Sequence, residues 1–400
     1  MKTVASTMHS RSSQISATRL VVTGDRNFLT QKRMSMLFDG LEELAGSLER
    51  VPVDNLFDSR WLKQTAKEIC KRLPISITTT GKASGMRKNA ASYIKQSRAC
   101  ERKLRSLREV PDFVFHLFGL YCPFWDNFDV PFSMYLDYTM ALAHRTWEPW
   151  APFANKGDLQ AWMDCEAVAY RNAARIFTFS GLVKRSLIED YGVASDKIVV
   201  AGAAGQFAKP YEGSKSFGQL RLLFNATNFE RKGGDLVLEA FSKVRTEIPM
   251  AELVVIGGEE DAEAAPGVQH LGFVSGLRAM EELFLSCDIL LAPARCEPYG
   301  QFLVEAANYG LPSIVSDRGG MKEIIEHEVN GVVLPDLSSD CLADAVIALL
   351  RDPARLEAYS RAGREKVRTQ LNWLTIADLM FHEIQGAIAT SRHPAYHSAA

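Results

Sequence analysis

Short apolar runs rich in β-branched residues alternate with amphipathic stretches along this chain, and the alternation is interrupted once and then restarts. Residues 19–23 (RLVVT) stop at Gly24-Asp25, as a buried parallel strand stops at a turn. From 31 to 48 the apolar positions Met34, Leu37, Phe38, Leu41 and Leu44 keep a helical period. A basic region follows that shows no clean period until 100–107. Beyond it, 113–118 and 132–136 predict strands, 161–174 a helix, 174–179 a strand, 182–191 a helix and 197–201 a closing strand. Strand, helix, strand in this order is the pattern of a parallel sheet with helices on its faces.

The stretch 209–219 (KPYEGSKSFGQ) has Pro, Gly and Ser but no period, and reads as a linker. The alternation then resumes, with strands expected at 221–224, 252–256, 268–273, 288–292 and 313–315. Helices fit 235–244, 276–286, 301–309, 321–326 and 340–351. That density predicts a doubly wound α/β domain. The expected organisation is a flexible tail over 1–18, a first domain over 19–208, the linker, and a second domain over 220–370. A helix over 371–390 is expected to pack back on the first domain, ahead of a disordered tail over 391–400. A chain of 400 residues exceeds what one hydrophobic core usually spans, in keeping with two domains.

Composition excludes several classes. With 47% apolar and 24% charged residues the chain is an ordinary folded one. No run reaches the roughly 18 to 20 apolar residues of a membrane-spanning helix, and the first residues lack the pattern of a secretory leader. The seven cysteines are scattered without a C-x-x-C, so reduced thiols are expected and neither a disulfide frame nor a zinc site. Net charge is −2, but 63–108 holds thirteen basic residues against Glu68 and Glu101. Such a stretch is either a solvated face or an attractor of phosphates or anionic lipid; nucleic acid is not expected as a partner.

In open parallel sheets ligands bind beyond the carboxyl ends of strands, so the chemistry is sought there. The run 290–305 (LLAPARCEPYGQFLVE) places Glu297 in a loop after a predicted strand and Gly300 at the start of a helix. Amides of Gly300, Gln301 and Phe302 would form the positive end of that helix, a seat for a phosphate. Glu297 and Glu305 are two carboxylates near one helix start, suited to accepting hydrogen bonds from sugar or ribose hydroxyls. A second signal, 224–235 (FNATNFERKGGD), sets Arg231 and Lys232 directly before Gly233-Gly234 and a helix. Cations are unfavourable at a helix start, and this misplacement points to a diphosphate as their partner.

These motifs resemble family 4 glycosyltransferases, retaining enzymes of the GT-B fold. The pieces that match are ERKGGDLVLEAF (230–241), LVVIGG (253–258), HLGFVS (270–275), EPYGQFLVEAANYGLPSIVSDRGGMKEII (297–325) and NGVVLP (330–335). The resemblance implies two Rossmann-like domains facing a central cleft and a transferase that moves a sugar from a nucleoside diphosphate to an acceptor hydroxyl. It implies that Glu297 holds the transferred sugar, Glu305 the ribose hydroxyls, and Arg231 and Lys232 the diphosphate, helped by the amides of Gly300, Gln301 and Phe302. Backbone at Phe273 and Val274 should meet the base, and Gly319-Gly320 is a further point of close approach. The family's usual Gly-Arg appears here as Ala226-Thr227, and its usual Asn-Gly turn as AGAAG (201–205).

The first half resembles the family mainly in 177–187 (FTFSGLVKRSL). Gly24 falls where the family places a cleft-facing glycine loop, and Asp137 where relatives carry a cleft-facing His or Asp. Asp137 could equally cap a helix from Thr139 onward. His116, inside an apolar strand, reads as a core histidine. Trp147 and Trp150, beside prolines, could line an acceptor groove or touch a membrane. No cofactor and no metal are expected, since no D-x-D triplet lies in a suitable loop. The chain is expected in the cytoplasm, with peripheral membrane contact through 63–108 and a carbohydrate or lipid-linked acceptor. A silent binding or scaffold protein and a sugar-nucleotide epimerase are the alternatives.

Overall fold

The computed structural model describes residues 18–54, 88–258 and 265–391. Two six-stranded sheets carry the chain, and every strand pair in them is parallel. The first contains β1 (Thr18–Asp25), β2 (Gly46–Val53), β3 (Phe113–Leu117), β4 (Phe132–Leu136), β5 (Arg175–Thr178) and β6 (Ile198–Val200), in the order β2-β1-β3-β4-β5-β6. The second contains β7 (Arg221–Asn225), β8 (Glu252–Ile256), β9 (Val268–His270), β10 (Ile289–Ala292), β11 (Ser313–Ser316) and β12 (Gly331–Leu334), in the order β12-β11-β10-β7-β8-β9. Helices connect most successive strands, and the inner strands β3 and β4 are buried at every position, as a sheet covered on both faces requires.

Several elements differ from the sequence expectation, each for a local reason. The helix expected over 31–48 is Lys32–Ala45, stopped by Gly46 at φ 79°, and the next residues form β2. That strand lies at the sheet edge and is exposed along most of its length, so it has no apolar run to betray it. In the basic region a helix spans Ala90–Arg105 and starts at a reciprocal cap between Asn89 and Ser92. Part of its buried face is polar (Ser92, Gln96, Ser97), which hides the period. The motif 330–335 contributes an unpredicted strand, β12. The cationic pair is not at a helix start: it closes the one-turn helix Phe229–Lys232, where the dipole favours cations.

One core cluster draws on both halves, joining Leu20, Phe115 and Phe177 of the first sheet region with Leu223, Leu290 and Val315 of the second. The last helix, Trp373–Ser391, belongs to it and packs along Lys32–Ala45, where Gly40 lies so close to Ala377 that an added Cβ would come to 3.0 Å. Trp373 also donates its indole N–H to the Gly205 carbonyl at 2.8 Å. The halves are therefore held at a defined crevice. Among the described residues no helix is long and apolar enough to cross a membrane.

Candidate active site

The second sheet reverses its direction of growth between β7 and β10, and the loops leaving those two strands diverge there to open a crevice. The loop after β7 delivers Arg231 and Lys232, and the loop after β10 delivers Glu297. Arg231 Nη1 donates to the Cys296 carbonyl at 2.7 Å and to Glu297 Oε2 at 3.2 Å, and Lys232 Nζ pairs with the same Oε2. Arg295 laces the two loops together. Its guanidinium grips both oxygens of Asp235 at 2.7 and 2.6 Å and the Glu230 carbonyl at 2.7 Å, while its amide donates to the Arg231 carbonyl at 2.8 Å.

Backbone contacts fix Glu297 from the far side. The Gly320 amide donates to the Glu297 carbonyl at 3.0 Å, and Glu297 forms an isolated parallel bridge with Gly319. Gly319 has φ 96°, and a Cβ there would come within 1.8 Å of the Glu297 carbonyl oxygen, so no other residue fits. The close approach read at Gly319-Gly320 is thus to the chain's own backbone. Burial by itself would raise the Glu297 carboxyl, but Lys232 and then Arg231 outweigh it and hold the group below its ordinary range.

Glu305 lies one turn along the helix Gln301–Asn308, which Gly300 opens at φ 100°. Its Oε1 accepts the Gln206 amide at 2.9 Å, and an added Cβ at Gly205 would strike its Cγ at 2.3 Å. The AGAAG loop is therefore shaped to receive Glu305. Burial raises this carboxyl, opposed by Arg33, whose Nη2 stands 3.9 Å away. Arg33 Nη1 also donates to Gln301 Oε1 at 2.9 Å, and Gln301 Nε2 donates to the Ala204 carbonyl at 2.7 Å.

A cleft of about 300 Å³ brings together Asp137, Arg231, Lys232, Glu297, Gly300 and Glu305, and Arg33, Gln301 and Phe302 line it too. Asp137 follows β4 and enters from the first half. The helix that begins at Met140 is capped by Thr139, not by Asp137. Burial, and to a smaller degree the charge of Glu297, pushes the Asp137 carboxyl up to about 6. Asp137 and Pro298 also border a neighbouring cavity of about 340 Å³ in the first half, lined by Lys88, Phe118, Trp150 and Glu166. Glu166 is 2% exposed and accepts from the Tyr191 hydroxyl; burial pushes it up to about 7.

Three residues singled out from sequence lie elsewhere. Gly24 is the penultimate residue of β1 and lies against Leu117, where an added Cβ would meet the Leu117 Cβ at 3.0 Å. Phe273 is 86% exposed beyond β9, and Val274 packs at the margin of the shared core. None of the three lines the cleft. His116 is a core residue, its Nε2 2.8 Å from the Tyr121 carbonyl and its pKa lowered by burial to about 3. Sequence reading missed Arg33, a polar-face residue of a helix with nothing to distinguish it. It also missed Glu166, whose signal was present: it stands on the buried stripe of Trp162, Cys165 and Ala169 in the helix Lys156–Asn172.

Residues 213–366 match the family described as glycosyl transferases group 1. This segment belongs to the group 1 glycosyl transferases. It carries Arg231, Lys232, Glu297 and Glu305, and the first half lies outside it. A Mycobacterium tuberculosis protein named GDP-mannose-dependent alpha-(1-6)-phosphatidylinositol monomannoside mannosyltransferase is 33% identical over 173 residues, 39% of this chain and 45% of the relative. The phosphatidyl-myo-inositol mannosyltransferase of Mycobacterium leprae is 27% identical over 245 residues, 59% of this chain and 63% of the relative. The chain thus spans less than two thirds of either relative. The solved sucrose-phosphate synthase of Thermosynechococcus elongatus superposes with a TM-score of 0.64 at 14% identity, covering 93% of this chain and all of that one. That likeness shows the fold: both sheets and the group 1 segment form a GT-B arrangement with a cleft between the halves.

Proposed function

We propose that this chain is a retaining glycosyltransferase that moves a sugar from a nucleoside diphosphate to an acceptor hydroxyl, in glycan, polysaccharide or glycolipid synthesis. The observation that carries this reading is the meeting of Arg231, Lys232 and Glu297 at the switch point of the second sheet, opposite Asp137 of the first half. Two cations sharing one carboxylate are held in place before any ligand arrives. A diphosphate offers them more charge than Glu297 does, and releases Glu297 to accept hydroxyls of the transferred sugar. Glu305 holds the ribose, and the donor lies along the start of the helix Gln301–Asn308. The names of the mycobacterial relatives favour a GDP-linked hexose and a lipid-linked acceptor.

In a retaining transfer the acceptor hydroxyl attacks the face that the diphosphate leaves, and the departing phosphate oxygen can take its proton. The protein's task is then electrostatic: to stabilise the charge that grows on the diphosphate. Arg231 and Lys232 do this without a metal, so turnover is expected to persist in EDTA. Asp137 faces the acceptor side, near the reacting sugar. The chain works in the cytoplasm, with contact at an anionic membrane through the basic stretch 63–108, of which only 88–108 lies within the described residues. Several of its cations are engaged within the protein: Arg98 with Asp126 at 2.9 Å, and Arg105 with Asp129 and, through its Nη2, with the Asn127 carbonyl at 2.9 Å.

Incubation with UDP-, GDP- and ADP-sugars, following nucleotide release with and without acceptor glycans, tests the reading. Arg231→Ala and Lys232→Ala should each lower turnover about a hundredfold or more, the loss of one oxyanion-type donor being worth on the order of 2.7–4 kcal/mol. Circular dichroism should stay native. Wild-type activity in both variants would remove the diphosphate assignment. Silence with every donor would favour a scaffold, and interconversion of the sugar without nucleotide release an epimerase.

A further inference from the structure

Arg231 belongs to the second half, but what covers its guanidinium comes from the first. After the helix Met140–Thr146 the chain makes a short 3-10 turn, Glu148–Trp150, and the Trp150 ring lies 5.1 Å from Arg231 Cζ. The residue is held at two points: Tyr138 meets the ring edge-on, centroids 5.5 Å apart, and Lys88 Nζ donates to the Trp150 backbone carbonyl at 2.8 Å. Tyr138 in turn reaches across the cleft, its hydroxyl 3.6 Å from Cys296 Sγ. Lys88, Tyr138 and Trp150 therefore brace the Arg231–Cys296 contact from the opposite half.

The hydrogen bonds of Arg231 are unevenly spent. Nη1 serves both the Cys296 carbonyl and Glu297, while Nε is shielded from solvent and has no acceptor among the described residues. A buried charged N–H without an acceptor is costly, and each such group in a folded protein calls for an explanation. A guanidinium stripped of water and kept short of acceptors binds an incoming phosphate oxygen more strongly than a solvated one does, because no water has to be removed at the moment of binding.

We propose that Trp150 is a positioning residue: from the acceptor half it fixes and desolvates the Arg231 guanidinium, so that the grip on the donor pyrophosphate is complete only while the two halves are together. This rests on the function proposed above. A Trp–Arg stack of this kind is worth roughly two- to thirtyfold in an equilibrium constant. The competing role is purely local, since Trp150 also walls the 340 Å³ cavity of the first half and could act on the acceptor alone.

The test measures two quantities that an acceptor wall would not move: affinity for UDP and GDP by calorimetry, and donor hydrolysis with no acceptor present. Wild type is compared with Trp150→Ala, Trp150→Phe, Arg231→Ala and the Trp150→Ala/Arg231→Ala double variant. Trp150→Ala should weaken the preferred nucleotide about tenfold and slow acceptor-free hydrolysis to match. Trp150→Phe, which keeps an aromatic face, should recover most of both and guards against a folding artefact. In the Arg231→Ala background, removal of Trp150 should change either quantity less than about twofold. Unchanged affinity and hydrolysis in Trp150→Ala, with only the acceptor KM raised, would overturn the proposal, as would fully additive losses in the double variant. Wild type that neither binds a nucleotide nor hydrolyses any donor would defeat the glycosyltransferase reading itself, and this proposal with it.

Discussion

Glu297 in the second half and Asp137 and Glu166 in the first are all enclosed carboxyls, yet their surroundings drive them in opposite directions. Glu297 meets Lys232 and Arg231, which override burial and keep it ionised. Around Asp137 and Glu166 burial prevails, and they rise to about 6 and about 7. The Arg231, Lys232 and Glu297 cluster of the second half is thus a fixed set of full charges, suited to a ligand that is itself always charged, while burial raises Glu305 farther along the same cleft. The first half holds carboxyls that gain and lose protons near neutral pH, suited to hydroxyls, whose chemistry involves proton movement. The comparison divides the labour of the cleft into a donor side and an acceptor side.

The largest effect should come from breaking the fixed-charge side. Glu297→Gln keeps the shape but leaves Arg231 and Lys232 with no full negative partner, and strips the carboxylate from the transferred sugar. Transfer is expected to fall by about a hundredfold or more, while nucleotide affinity holds or tightens because the cations are freed. A parallel collapse of nucleotide binding would show that Glu297 acts by holding the loops together.

A smaller effect is expected on the titrating side. If Asp137 works as a carboxylate, kcat/KM should decline as pH falls through about 6, the value to which burial raises it. Asp137→Asn should lower the rate at pH 8 roughly tenfold to a hundredfold and flatten that acidic limb. An unchanged limb in the variant would assign the titration to another group.

The smallest expected effect is on stability. Glu166 rises from 4.5 to about 7 on folding, so between those values the native state binds more protons than the unfolded one. Its favourable contribution is complete below about 4.5 and is lost as pH rises through about 7, at most about 3 kcal/mol in all. Glu166→Gln should lack this decline, so its melting temperature relative to wild type should improve from pH 5 to pH 8. A constant difference across that range would mean that the Tyr191 contact, and not ionisation, governs the site.

Legibility followed the same division. Alternating apolar runs placed most strands of the two sheets, since a strand buried on both faces must be apolar throughout. The edge strand β2 escaped because little of it is buried. Arg231, Lys232, Glu297 and Glu305 could be named from sequence because they stand in the loops and first helical turns that follow β7 and β10, beside glycines whose spacing is itself unusual. The AGAAG loop looked like a departure from the expected turn, but its small residues admit the Glu305 side chain. Arg33 is 268 positions from Gln301, and no local pattern announces a contact across that distance.

Period and composition were enough to indicate two α/β units and the strand ends where chemistry was to be sought, because each depends on neighbours within a few residues. Which strand stands beside which, and so the switch point that joins the Arg231 and Glu297 loops, was settled only by sheet order. The same holds for the charge state of each carboxyl. Burial and distant cations set it, and both arise only when segments far apart in the chain are packed against one another.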